Sequence, residues 1–287
     1  MRLVTFRGDD GATLGVLRGD GEVLELAAPA DMLSLIDSGD EGMALVRSAL
    51  KAGRGKVHEL ADLRLLPPLP NPRGNVIAIG RNYQAHAEES ARAAGKAPDP
   101  PTVFTKAVTS IAGPYDDIVI DEALTKEVDW EVELGVVVGL AGANISRASA
   151  LDHVFGYLTV NDVSARDIQF GWGGQYFKGK SLDGFCPIGP WIVTNDELED
   201  TGSLRLMLRV NGEAKQDAST RDMIYPVDAI LEWVSKGMTL PAGTVIATGT
   251  PDGVGFARKP PEFIQPGDVV EAEVEGIGTL RNRFVSR

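Results

Sequence analysis

Residues 129–139 read DWEVELGVVVG. Side chains along a strand alternate between two faces, so Asp129, Glu131 and Glu133 share one face while Trp130, Val132 and Leu134 share the other. The β-branched run Val136–Val138 then carries the strand into a core. Carboxylates gathered at the entrance to an apolar strand repel one another unless a counter-charge is supplied, and a divalent cation is a common one. The same pattern also describes an edge strand showing an acidic face to solvent. The stretch makes a strand; its acids need further company before they make a site.

Composition narrows that company. The chain has 287 residues, 43% of them hydrophobic, and a formal net charge of −13. That length suits one large domain, or a domain with a small appendage. The acidic balance argues against nucleic acid or an anionic membrane as partner, although a locally basic pocket could still take an anionic substrate. No apolar run reaches the length of a membrane span and the opening residues lack the apolar core of a secretory signal, so a cytoplasmic protein is expected. Cys186 is the single cysteine and His58, His86 and His153 are the histidines. An intramolecular disulfide is thereby excluded and a Cys/His zinc site nearly so. A metal here would be held by oxygen, which points to Mg²⁺, Mn²⁺ or Ca²⁺.

Outward from the acidic strand, residues 1–26 read as three short strands broken by Gly/Asp turns, followed by helical stretches over 29–36 and 41–52. Four prolines in LRLLPPLPNPRGN (63–75) place a boundary near residue 68. The expected division is a small N-terminal α+β domain over 1–68 and a catalytic domain over 69–287. The second part is mostly strands, with helical patterns around 83–94, 146–151 and 226–235. It lacks the regular βα alternation of a doubly wound sheet. The expectation is a β-rich α+β fold of layered or rolled mixed sheets.

Four segments carry side chains suited to chemistry. Asn161-Asp162 ends the apolar stretch VFGYLTV, with Arg166 and Gln169 spaced to share its side on a helical turn. Carboxylate, cation and amide on one face suit an anionic ligand; a capped turn with a surface ion pair fits equally. His86 and Glu89 stand three residues apart in an Ala-rich helical stretch, the usual relation of a base and its orienting acid, and equally the spacing of a solvated surface His beside a Glu. Residues 174–181 satisfy the letters of a phosphate loop, G-x-x-x-x-G-K-[ST], but no apolar strand precedes them and no helix-compatible sequence follows. Nucleotide binding is therefore rejected, although Lys178 or Lys180 can still face an anion. Finally, IATGTPDGVG (246–255) places Thr250 after a buried strand, as an anion-binding loop or as a plain turn.

Together, AIGRNYQAHAEE (78–89), DWEVELGVVVG, GYLTVNDVSARDIQ (156–169), KGKSLDGFCPIGP (178–190) and TLPAGTVIATGTPDGVG (239–255) resemble the fumarylacetoacetate hydrolase family. The blocks occur in the family's order over roughly residues 70–285. The resemblance implies rolled β-sheets and a homodimer. It assigns a metal to Glu131, Glu133 and Asp162, a water-activating dyad to His86 and Glu89, and an oxyanion-stabilising role to Lys180. Arg166, Gln169 and Thr250 are then substrate-binding. The fourth carboxylate that some members carry seven residues before the histidine is Ile79 here. The family's tyrosine-catabolism enzyme takes its dyad glutamate from far along the chain, so the local Glu89 resembles the short acylpyruvase-like branch instead. The implied reaction is metal-dependent hydrolysis of a C–C bond in an acylpyruvate or other 2,4-dioxo acid. The same site would serve isomerisation of a hydroxymuconate-type diacid, decarboxylation of oxaloacetate, or dehydration of a 2-keto-3-deoxy acid.

Overall fold

A computed structural model describes residues 1–86, 88, 102–198 and 200–287. The N-terminal segment forms β1 (Arg2–Gly8), β2 (Gly11–Arg18), β3 (Glu22–Glu25), helices Met32–Asp37 and Gly39–Ala52, and β4 (Val57–Glu59). Next come β5 (Val76–Gly80), β6 (Thr102–Lys106), β7 (Ile111–Ala112), β8 (Ile118–Ile120) and β9 (Val128–Asp129). They are followed by β10 (Val132–Val138), β11 (Val154–Asn161), β12 (Ser164–Ala165) and β13 (Cys186–Thr194). The chain closes with β14 (Arg205–Val210), β15 (Glu213–Ser219), β16 (Val245–Ala247), β17 (Val269–Val274) and β18 (Gly278–Ser286).

The fold is β-rich and its sheets are mixed. One large sheet runs β4-β3-β2-β1-β13-β11-β10-β16-β5-β6, with β7 attached to β13. A second runs β15-β14-β17-β18-β8, and β9 pairs with β12. The strands on the two sides of residue 68 share the large sheet, because β1 pairs with β13 through Arg2↔Val193 and Leu3↔Ile192. No helix among the described residues is long and apolar enough to cross a membrane.

The acidic strand lies in the middle of the large sheet, between β11 and β16, and all seven residues of β10 are buried. A strand covered on both faces reads as a continuous apolar run, which is what 134–138 shows. Alternation still divides its contacts. Val132, Leu134, Val136 and Val138 enter the core that also holds Leu206, Leu280 and Phe284 of the second sheet. Val137 enters the opposite core with Leu158 and Val160, capped by Met32, Leu35 and Ile36 of the first helix. Gly135 permits the tight packing there, since a Cβ would lie 2.4 Å from Leu158 Cδ1. Leu134→Ala empties a fully buried site and is expected to destabilise the fold by about 2–5 kcal/mol. Chemical denaturation checks this; a midpoint unchanged from wild type would mean the core closes over the gap.

Three local expectations are corrected. The edge-strand alternative for DWEVELG fails, because β10 is central. Asp129 does not continue that strand: the ladder breaks at Trp130-Glu131, and Asp129 pairs with Ser164 in the β9–β12 ladder. The 146–151 pattern forms 3-10 turns over Arg147–His153 instead of an α-helix. The strand β15 (EAKQDAS) carries no apolar signal because it is the edge of the second sheet, where Glu213 and Asp217 face solvent.

Candidate active site

Pairing of β10 with β11 sets Val132 opposite Asn161, which brings the two acid-bearing strand ends together. The backbones are stitched beyond the ladder: Asp162 N donates to Glu131 O at 2.8 Å and Asn161 Oδ1 accepts from Glu131 N at 3.0 Å. As a result, Glu131, Glu133 and Asp162 each offer a carboxylate oxygen within 4.8 Å of the others, all buried. Gly249, in the loop after β16, adds an N–H to Glu133 Oε2 at 2.7 Å.

Cations surround the triad. Lys180 Nζ lies 2.8 Å from both Glu131 Oε2 and Asp162 Oδ2. Arg166 opens the helix Arg166–Gly171 and reaches Glu131 Oε1 at 2.7 Å and Asp129 Oδ2 at 2.8 Å. Its Nη1 donates to Gln169 Oε1 at 2.9 Å, the contact that the spacing of Arg166 and Gln169 suggests. Asp129 is taken up entirely by structure, accepting from Arg166, Trp130 N, Gly255 N and Phe256 N. It holds Arg166 4.5 Å from the Phe256 ring centroid. Sequence reasoning missed Lys106, which is fully buried and meets Asp162 Oδ1 at 2.5 Å. The available signal was a lysine closing an apolar strand (TVFTK) in a chain with crowded acids.

These contacts pull the carboxylates apart in acidity. Burial by itself would raise Glu131, but Lys180, Arg166 and His86 hold its carboxyl at about 2. Burial, reinforced by Asp162 and Glu131, pushes Glu133 well above the usual range. Burial opposes the charge on Lys180, yet Asp162 and Glu131 prevail and raise its pKa. The crowding thus makes ionisation of Glu133 costly until more positive charge arrives. A set of three buried, hard oxygen ligands in that condition fits a divalent metal ion.

A proton on Glu133 must leave before the group can act as a ligand, so divalent-ion affinity is expected to rise with pH. Affinity climbs by about tenfold per pH unit below the raised pKa of Glu133 and levels off above it. Titration calorimetry with Mn²⁺ in buffers of different ionisation enthalpy measures the proton released; zero release below that pKa contradicts the expectation.

A cavity of about 250 Å³ opens beside the triad, lined by His86, Glu131, Arg166, Gln169, Lys180 and Thr250. Ile79, Phe104, Phe170, Tyr176 and Phe256 form its apolar wall. The Phe104–Tyr176 and Phe170–Tyr176 pairs pack edge to face. Thr250 lines the cavity, but its hydroxyl is engaged, donating to Val132 O at 2.9 Å and accepting from Gln216 Nε2 at 2.8 Å. That hydroxyl fixes the loop to β10 instead of standing ready for a carboxylate. Glu89 lies outside the described residues. The phosphate-loop lookalike follows a helix instead of a strand, and Lys180 turns to the carboxylates.

Two stacked sheets with a buried acidic triad and a buried lysine lining an aromatic-walled cavity are the framework of an enzyme. A family model described as fumarylacetoacetate (FAA) hydrolase C-terminal matches residues 75–285, and the chain belongs to that family. It is 39% identical over 284 residues to oxaloacetate tautomerase YisK of Bacillus subtilis, spanning 96% of this chain and 94% of the relative. Two solved structures are similar along their full lengths, with 100% of both chains covered in each case. One is a fumarylacetoacetate hydrolase from Exiguobacterium antarcticum, at 41% identity and a TM-score of 0.85. The other is a 5-carboxymethyl-2-hydroxymuconate delta-isomerase from Mycobacterium smegmatis, at 35% identity and a TM-score of 0.80.

Proposed function

We propose that this protein is a divalent-metal-dependent isomerase that moves a proton between carbon and oxygen in a 2-oxo diacid, either oxaloacetate or a hydroxymuconate-type compound. The observation that carries the reading is Lys180, whose ammonium lies 2.8 Å from both Glu131 and Asp162 in a cavity that His86 also lines. A fixed cation beside an acid–base group suits a reaction that breaks a C–H bond next to an oxo group and forms an O–H bond, with nothing added or lost. The tautomerase and isomerase relatives favour this over the C–C hydrolysis that the sequence resemblance put first.

Glu131, Glu133 and Asp162 are the residues that would hold the metal. When bound, the metal supplies Lewis-acid polarisation of the 2-oxo acid. Lys180 faces the charge that develops on the enolate oxygen, and burial strengthens that interaction. His86 takes the α-proton on its imidazole and returns it to oxygen. Arg166 and Gln169, held together at 2.9 Å, bind and orient the carboxylate end. The wall of Phe104, Phe170, Tyr176 and Phe256 keeps water from the enolate.

The test is to give Mn²⁺-loaded protein oxaloacetate, a hydroxymuconate and acetylpyruvate, following enol absorbance and product mass. A product isomeric with its substrate is expected. Two fragments whose masses sum to the substrate plus one water would replace this reading with hydrolysis, which the Exiguobacterium relative favours. Release of CO₂ from oxaloacetate alone would replace it with decarboxylation. His86→Ala is expected to keep Mn²⁺ and to slow turnover by roughly 10²–10⁴-fold; full turnover in that variant would remove His86 from the proton path.

A further inference from the structure

Lys106 closes β6 behind the triad, is fully buried, and does not line the cavity. Its ammonium has three protons to donate and meets three acceptors: Asp162 Oδ1 at 2.5 Å, Val163 O at 3.2 Å and the backbone carbonyl of Lys180. The group is thereby saturated and has no donor left for a substrate. The second oxygen of Asp162 points to Lys180 Nζ at 2.8 Å. Lys106, Asp162 and Lys180 thus form a closed ring in which each carboxylate oxygen of Asp162 has its own lysine. Val163 O ties the same ring to the turn that follows β11.

A carboxylate can ligate a divalent ion through one oxygen or through both. Rotation of Asp162 to offer both would break the contact from Lys106 and leave a buried ammonium without its anion, which is costly. From this geometry we propose that Lys106 is a positioning residue that limits Asp162 to ligation through one oxygen, keeping a coordination position for the 2-oxo carboxylate of the substrate. The same ammonium sets Lys180 through its carbonyl. The role rests on the metal-site reading above but needs no particular reaction, so its test uses binding alone.

Lys106→Met retains the length of the stem and removes the three donors. Mn²⁺ alone and oxalate, a non-reacting chelating dianion, are the two probes. Mn²⁺ affinity is expected to stay the same or tighten, while oxalate affinity of the Mn²⁺-loaded variant falls by roughly 10–100-fold. A parallel loss of both affinities would indicate a merely structural lysine, and no change in either would leave it without a role; each overturns the proposal. If the variant does not fold, a crystal structure of the Mn²⁺-loaded wild type decides. One Asp162 oxygen on the ion with Oδ1 still on Lys106 supports the proposal, and two oxygens on the ion overturn it. Because oxalate is never turned over, a wrong assignment of the isomerase reaction would leave these results interpretable.

Discussion

Glu131→Ala is expected to abolish divalent-ion binding and turnover in the same protein. Glu131 is the triad member that lines the cavity, and both of its oxygens are engaged, by Arg166 at 2.7 Å and Lys180 at 2.8 Å. Its removal deletes one of the three carboxylates proposed to hold the ion and leaves Arg166 and Lys180 with an excess of positive charge facing the site. Both effects act against a cation. With the polarising charge gone, turnover is expected to fall by roughly 10³-fold or more, about 4 kcal/mol of lost charge stabilisation. Calorimetric Mn²⁺ titration and enol absorbance measure the two losses. Turnover that survives without metal binding would remove the triad from the chemistry.

Lys180→Met should separate what Glu131→Ala joins. Methionine fills most of the same stem volume but brings no charge to Glu131 or Asp162. The ammonium repels a divalent ion, so Mn²⁺ affinity is expected to rise. Turnover is nevertheless expected to drop by about 10²–10³-fold, the usual worth of one preorganised charge on a developing oxyanion. Opposite signs in binding and rate are the signature of a group that acts on the substrate. Weaker Mn²⁺ binding with proportionate loss of rate would make Lys180 a structural support of Asp162 and nothing more.

These two positions illustrate how unevenly the site was legible. Period-two alternation put Glu131 and Glu133 on one face, and the end of an apolar strand drew attention to Asp162. Helical spacing put Arg166 and Gln169 on one side, but Asp162 does not share that turn, because β12 intervenes and the helix opens at Arg166. The sequence could not separate Asp129 from the triad, because its fate depends on Arg166, 37 residues away, and on amides of Gly255 and Phe256. Nothing local in the sequence marks that Gln216 and Val132 O hold the Thr250 hydroxyl. Lys106 lies 56 residues from Asp162 and carries no local mark of that partnership.

By itself, then, the sequence determined the elements whose residues repeat with a period: a strand at β10, the first two helices, most of the strands, and a paired carboxylate at a strand entrance. Those features are local, since pleat and helical turn recur within a few residues. Only the tertiary structure decided which acids remain together, which cation each one meets, and that the N-terminal strands extend the same sheet through β1 and β13. Such pairings are set by strand register and by burial, which make buried charges seek partners wherever the fold brings them within reach.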